Sequence, residues 1–416
     1  MATQNKQAAQ DIDLDKVSVI VGGKVHSDWS GYGIDSDFLI PADAWSMRLG
    51  LPAGIFPEGV ARGVPVQVRV GPDVVMSGRI DRVSRTVSRD QVSLSVTGRD
   101  GAAILVDCAS PLLTSRQASL EEVIAQVVRP LGIKNIELHA ESSIRNDKIT
   151  TEPGERAWDI LLRACAGRGL WPWFRPDGTL VIGGPDYTAA PVATLVMRRS
   201  GEGNNLLSLT DESSMERSFS RLTVLAQGHA HSTNNKKKLE TGIIDVTSPA
   251  SLTISTDSDD AAADTELDTG IAETGQHGLQ FVVEDPTVTY YRPQVMVMHD
   301  ADDLEQVRYR ARKMMADARL EGYSLIARVQ GHRTSDGVLW EPGQRIHVIS
   351  EPHGIDAVYF LMGREFTGGR PGGAVTTLRL KEDGVWIPDA WPKKKKARKG
   401  RKKKKLETGI VDVEPG

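Results

Sequence analysis

GVPVQVRVGPDVVMSGRIDRVSRTVSRDQVSLSVTGRDG, residues 63 to 101, holds three alternating runs, VQVRV, SGRIDRVSRTV and QVSLSVTG, separated by the turn residues GPD and SRD. Successive side chains of a strand point to opposite faces, so a period of two predicts half-buried strands. The short turns between the runs predict that they lie antiparallel. A second stretch, GQRIHVISEPHGIDAVYFLMGREFTGGRPGGAVTTLRLKEDG at 343 to 384, follows the same grammar, with RIHVIS, VYFLMGREF and AVTTLRL separated by EPHGID and TGGRPGG. Both stretches start at a glycine and close on a charged pair plus glycine, RDG at 99 to 101 and EDG at 382 to 384. Identity between them is slight. Two unrelated β-meanders are one reading; a duplicated β-barrel is the reading that the shared order of runs and turns favours.

The region between them reads as α/β. Ser119 followed by Glu122 makes a capping box, and Leu120, Val123, Ile124, Val127, Val128 and Leu131 fall on one helical face before Gly132. ERAWDILLRACAG places Trp158, Leu161, Leu162 and Cys165 at helical spacing, and GLWPWFRPDGTLVIGG follows as a strand pair turning at PDG. Trp171 and Trp173 suit a stacking platform for bases or sugars, or a core beside the hairpin, which is the commoner use. A third helix is expected at about 302 to 321, with Leu304, Val307, Ala311, Met314, Met315 and Ala318 inward. The fold class is therefore mainly β with α+β, as two similar β-barrel domains in tandem plus an α/β domain. The expected division is a flexible 1–14, a first barrel at 15–109, an α/β domain at 110–190, a second barrel at 191–390 and a basic flexible tail at 391–416. The second barrel is split by a polar insertion at about 229–277, rich in Ser, Thr, Asp and Ala.

With 416 residues, 25% charged and 39% hydrophobic, the chain has the composition of a globular protein of two to four domains. Its start, MATQNKQAAQDIDLDK, lacks an apolar stretch behind a basic one, and no run is long enough to span a bilayer, so neither signal peptide nor membrane insertion is expected. Cys108 and Cys165 are expected as buried free thiols. The net charge of −4 hides a division, because Lys393 to Lys405 carries eleven positive charges and the rest of the chain sums to −15. An acidic body repels phosphate, which leaves only the tail to hold nucleic acid.

High-specificity catalytic and phosphate-binding signatures are absent: there is no Walker loop, HExxH, GxSxG or CxxC. His229 with His231, and His347 with His353, are candidate metal pairs without a cysteine or carboxylate at ligand spacing. Asp257, Asp259, Asp260 and Asp264 suit calcium or a glycosidase pair less well than solvated charge. No enzyme, cofactor or metal is expected.

One phrase occurs twice, KKKLETGIIDV at 236 to 246 and KKKLETGIVDV at 403 to 413. Each has a basic leader and a short, weak strand pattern. WIPDAWP, with Trp386, Pro388, Trp391 and Pro392, is expected to end the folded body. About 24 flexible residues beyond it reach about 27 Å, further when like charges repel. The candidate docking residues are Lys393, Lys394, Lys395, Lys396, Arg398, Lys399, Arg401, Lys402, Lys403, Lys404 and Lys405 for attraction, with Leu406, Ile410, Val411 and Val413 for an added strand. A neutral duplication is the competing reading.

The order of parts, with TTEPGERAWDILLRACAGRGLWPWFRPDGTLVIGGPDY in the middle and LWEPGQRIHVIS and TTLRLKEDG near the end, resembles the baseplate hub proteins of Mu-type contractile-tail phages over about residues 15 to 390. More distantly it is similar to late control D proteins and to the hub part of type VI secretion spike proteins. The resemblance implies a trimeric ring, six quasi-equivalent barrels that match a sixfold tail tube to a threefold central spike, and a passage for DNA without specific binding. It implies the tail tube protein, the central spike protein and the tape measure protein as partners, and a place in the virion tail baseplate after assembly in the host cytoplasm. The other function classes open to the sequence are a nucleic-acid-binding protein acting through the lysine-rich tail and a tail-associated cell-wall hydrolase.

Overall fold

A computed structural model of the chain describes residues 14–51, 54–111, 114–116, 119–139, 148–166, 170–226, 279–298, 304–369 and 372–386. The expectations for 1–13, for the 229–277 insertion and for the tail from 387 onward lie outside these residues.

The first quasi-repeat comprises β1 (Val17–Val21), β2 (Lys24–His26), β3 (Gly31–Asp37), β4 (Ala44–Gly50), β5 (Pro65–Val70), β6 (Asp73–Val87) and β7 (Val92–Asp100). A middle layer follows: α1 (Ala103–Asp107), β8 (Thr114–Arg116), α2 (Leu120–Val123), β9 (Ile136–Leu138), β10 (Lys148–Thr150), α3 (Ala157–Ala166), β11 (Trp171–Phe174) and β12 (Leu180–Gly183). After β13 (Ala193–Met197) and β14 (Ser208–Ser213), a third layer is made by β15 (Arg221–Ala226), β16 (Leu279–Glu284), β17 (Pro293–Met298) and α4 (Leu304–Gly322). The chain then returns through β18 (Tyr323–Gln330), β19 (Arg345–Ser350), β20 (Ile355–Gly369) and β21 (Gly373–Glu382).

The two meanders expected from sequence form, and they match in detail. β5 and β19 each hold six residues, β6 and β20 each hold fifteen, and each long strand slips register once against the strand that follows it, at Ile80/Arg82 on β7 and at Leu361/Gly363 on β21; β6 has a further slip against β5 that β20 lacks against β19. Entry into each meander is clasped alike. The Gly63 N–H donates to Ile80 O at 2.7 Å and the Ile80 N–H to Val64 O at 3.0 Å, while the Gly343 N–H donates to Leu361 O and the Leu361 N–H to Gln344 O, both at 2.8 Å. Both glycines have positive φ, 81° and 97°, a conformation that costs other residues strain. The likeness extends to five strands: β3-β4-β7-β6-β5 and β14-β18-β21-β20-β19 have the same order, antiparallel throughout, and the same chain sequence. In the second repeat the β15–β17 and α4 layer interrupts the chain between its first and second strands.

The expectation of two separately closed barrels is corrected. Among the described residues both repeats belong to one thirteen-stranded sheet, because β3 pairs with β20 from Asp37↔Gly363 to Tyr32↔Gly368. The reason is strand length: β19 covers β20 only as far as Phe360, and the remaining half of β20 offers backbone donors and acceptors that β3 satisfies. Their apolar faces accordingly merge into one core, with Val68, Met76, Ile80 and Leu94 of one repeat and Ile346, Leu361, Phe366 and Leu380 of the other.

In the middle layer α1 and α3 pack with the turns after α2 on the sheet β11-β12-β9. The capping box is present: the Glu122 N–H donates to Ser119 Oγ and the Ser119 N–H to Glu122 Oε2. The helix expected from Ser119 to Gly132 is instead one α-turn, a π-turn over Ile124–Val128 and a 3-10 turn over Arg129–Leu131. Pro130 has no N–H to donate, so the α-ladder cannot run through it. Cys165 is buried as expected, whereas Cys108, beyond the end of α1, is half-exposed. In the third layer Val307, Ala311 and Met315 of α4 cover Leu222, Val224, Phe281 and Val283, which confirms the expected inward face.

Candidate assembly site

The joint between the repeats is assembled from β3, β20 and β21. Arg379 on β21 reaches across to β3, bonding Asp37 Oδ2 through Nε at 2.7 Å and also pairing with Asp35. Arg364 on β20 points into the core, where it is fully buried. Its Nε donates to Trp340 O at 3.2 Å, its Nη1 to Ile34 O at 3.3 Å, and its guanidinium lies 3.9 Å from the centre of the Phe366 ring. Burial pulls its pKa down to about 10, and the carboxylates of Asp43, Glu341 and Asp35 favour its charge. On the other side of Phe366, His332 bridges Tyr32 of β3 at 2.7 Å and Thr376 of β21 at 3.0 Å, its pKa lowered by burial to about 4. Neutral imidazole thus ties three strands together.

Below the joint lies a cavity of about 220 Å³ between sheet and middle layer, bounded by Asp43, Asp100, Glu341 and Arg364 on one side and by Trp158, Trp173 and Phe174 on the other. Two neighbouring carboxylates raise the possibility of acid–base chemistry, but both hold backbone. Asp43 accepts from Ser36 Oγ and from the Asp37 N–H, and Asp100 accepts from the Ala102 N–H at 2.9 Å. The Asp43 carboxylate is shut away from water even though part of the residue's surface is open, and burial raises its pKa to about 6. Asp100 is raised too, by burial and by the charge of Asp43. A folded-state pKa above the unfolded one means the folded chain binds more protons between about pH 4 and 6, so stability rises as pH falls through that window. The parent is therefore expected to gain about 1 to 2 kcal/mol more than Asp43→Asn between pH 7 and pH 5, whatever buried His332, with its pKa of about 4, costs both proteins over the same interval. Melting curves of both proteins at the two pH values check this; identical gains would remove Asp43 as the cause.

A second meeting point is aromatic. Trp386 stacks on Phe38 at 5.0 Å, meets Trp171 edge-on at 6.0 Å, packs with Phe360 and Leu320, and its carbonyl accepts the Tyr187 hydroxyl at 2.5 Å. The Trp171 indole N–H donates to Phe38 O at 2.6 Å, and Trp173 lies edge-on to Phe38. Both tryptophans thus belong to packing between the layers rather than to a stacking platform. Trp386 is the last of the described residues, and Pro388, Trp391 and Pro392 lie outside them.

The sequence-predicted docking residues, Lys393 to Lys405 with Leu406, Ile410, Val411 and Val413, lie outside the described residues, as does the copy at 239–246. So do His229, His231 and the acidic run at 257–264. His347 bonds Asp356 and His353 bonds Ser350, each at 2.7 Å, and no group of three metal-ligating side chains occurs among the described residues. No helix among them is long and apolar enough to cross a membrane. Asp35, Asp37, Arg364 and Arg379 escaped the sequence reading; the available signal was an arginine inside the apolar run VYFLMGREF.

Comparison with known proteins follows the same layers. Residues 16–100 match the model "Mu phage baseplate assembly protein GpP-like, N-terminal", and 102–184 match "Baseplate hub protein gp44-like, second domain". Residues 269–315 match "Tail protein NMB1110-like, third domain", and 317–385 match "Tail protein, C-terminal domain". The crystal structure of the tail protein from Neisseria meningitidis MC58 is 39% identical, with 91% of this chain and 99% of that one covered and a TM-score of 0.72. Baseplate hub protein gp44 of Escherichia phage Mu is 24% identical over 352 residues, 84% of this chain and 82% of gp44. The 43 kDa tail protein of prophage MuSo2 from Shewanella oneidensis shares the fold at 20% identity, with a TM-score of 0.69 over 89% of this chain and 99% of that one.

Proposed function

Since the chain belongs to the family of Mu-type phage baseplate hub and tail proteins, we propose that three copies form a ring joining a sixfold tail tube to a threefold central spike. It is a structural component of the virion tail baseplate, not an enzyme. The observation that carries the ring is the five-strand unit present twice in one chain. Three chains then hold six such units, so each tube subunit meets a comparable surface, while the middle and third layers keep threefold contacts for the spike. The continuous sheet alters one part of this picture: the six units are linked edge to edge rather than standing as six closed barrels. The division at 15–109, 110–190 and 191–390 belongs to the same proposal, with the 229–277 insertion and the helix at 302–321 inside the last part.

An acidic body of −15 outside Lys393–Lys405 suits a passage that lets DNA through during genome ejection, because a basic lumen would retain phosphate. Assembly in the host cytoplasm and contact with the tape measure protein complete the reading. The tail has its own part in it: the lysines speed encounter with an acidic partner, and LETGIVDV at 406–413 adds as a strand, with LETGIIDV at 239–246 able to take an equivalent edge. Capture of purified tube and spike proteins tests the proposal. The full chain is expected to bind both, and deletion of 393–416 to leave the trimer intact while weakening capture at low salt. No capture of either partner by the full chain overturns the hub role. Unchanged capture after the deletion removes only the docking role of the tail.

A further inference from the structure

One difference between the two repeats bears on assembly: the second half of β20 is covered by β3, whereas the second half of β6 has no strand on that edge among the described residues. β5 reaches only Arg79 on β6, as β19 reaches only Phe360 on β20. At the other end of the sheet β14, the counterpart of β3, pairs with β18 alone among the described residues. Among its described residues each chain therefore carries one satisfied joint and the two halves of an unsatisfied one. We infer that neighbouring copies join by adding β14 of one to the uncovered half of β6 in the next, in the register that β3 takes on β20 within a chain. This rests on the ring reading above and names the surface that closes it.

The register follows from the matched slips. Arg82 corresponds to Gly363, and Thr97 to Arg379, because each pair follows its slip. Across the sheet, Thr97–Ser46–Gly33 corresponds to Arg379–Ile326–Thr210. Gly33 faces Thr367 in the joint, so Thr210 of one copy faces Thr86 of the next. The same register sets Asp211 opposite Arg85, Glu212 opposite Ser84 and Leu209 opposite Val87. Charge agrees with it: the β6 half and its turn carry Arg82, Arg85 and Arg89, whereas β14 carries Asp211 and Glu212, both exposed. Opposite charges facing each other across an antiparallel pair are stabilising. Arg85 donates to Val60 O through one of its five N–H groups, and Val87 is 70% exposed, an apolar side chain for which Leu209 is the partner. Uncovered strand edges invite pairing, and a head-to-tail contact closes a ring of three when each repeat turns the chain by a third of a circle.

β14 and β6 of one chain are seven strands apart in the sheet, roughly 30 Å measured along it, and a bond within one chain would leave the band at monomer mass, so only bonds between copies give a covalent trimer. The full chain carrying Cys108→Ser, Thr86→Cys and Thr210→Cys is oxidised mildly and read on a non-reducing gel, with its mass measured by light scattering. Conversion of the monomer band into covalent trimer, reversed by reductant and absent from either single cysteine variant, is the expected result. As a second measurement, Arg85→Glu is expected to weaken the trimer, and adding Asp211→Arg to restore it. A trimer by mass that neither cross-links nor responds to these charge changes overturns the edge pairing and leaves the ring standing. A monomer by mass at every concentration overturns both.

Discussion

Replacing Arg364 by methionine is expected to lower the unfolding free energy by about 3 to 5 kcal/mol at pH 7.5, the usual cost of removing one partner from a buried charged network. Methionine fills much of the same volume, so the loss is not mainly a cavity. What it leaves is the Asp43 and Glu341 carboxylates without their buried cation, and the Trp340 and Ile34 carbonyls without its donors. The cost has a sign in pH. Arg364 helps to hold the Asp43 pKa down to about 6, so without it the carboxyl takes up its proton at a higher pH, and the deficit shrinks as pH falls towards 6. Urea denaturation at pH 7.5 and pH 5 reads both effects. A loss below about 1 kcal/mol at pH 7.5 would mean that the network does not hold the joint.

Trp386→Ala is expected to cost about 3 to 5 kcal/mol, the range for deleting a large buried aromatic side chain. The residue is 1% exposed and touches side chains from three directions: Phe38 after β3, Trp171 of the middle layer, and Leu320 of α4 with Phe360 of β20. Its removal is expected to loosen the layers from one another rather than to melt any of them. Tyr187→Phe, which removes only the hydroxyl bond to the Trp386 carbonyl, is expected to cost about 1 kcal/mol. Thermal melting of the two variants beside the parent checks the order, and equal losses would contradict it.

The strands of the two meanders were legible because alternation is local: VQVRV in the sequence becomes the buried–half-buried alternation of β5. The capping box at Ser119 and the inward face of α4 were legible for the same reason. The outer strands of the second repeat were not, because β14 and β18 are neighbours in space but separated in sequence by residues 214 to 322. Only the five-strand order, read in three dimensions, reveals the duplicate. The joint was hidden differently. Nothing in the sequence around Asp35, Asp37 or Arg379 says that β3 pairs with β20, since pairing between strands more than 300 residues apart leaves no periodic trace. Arg364 and Trp386 mark the contrast: the first had only its odd position in an apolar run, whereas the second stood in WIPDAWP just before eleven like charges and was readable as an anchor.

The central claim is that three copies, each with two equivalent units, make a ring. Light scattering on the purified full chain, coupled to size-exclusion chromatography, tests it most directly. The account predicts a species of three times the chain mass of 45.3 kDa that appears in electron micrographs as a ring with a central passage and six lobes. A stable dimer, or a trimer with no passage, would contradict it.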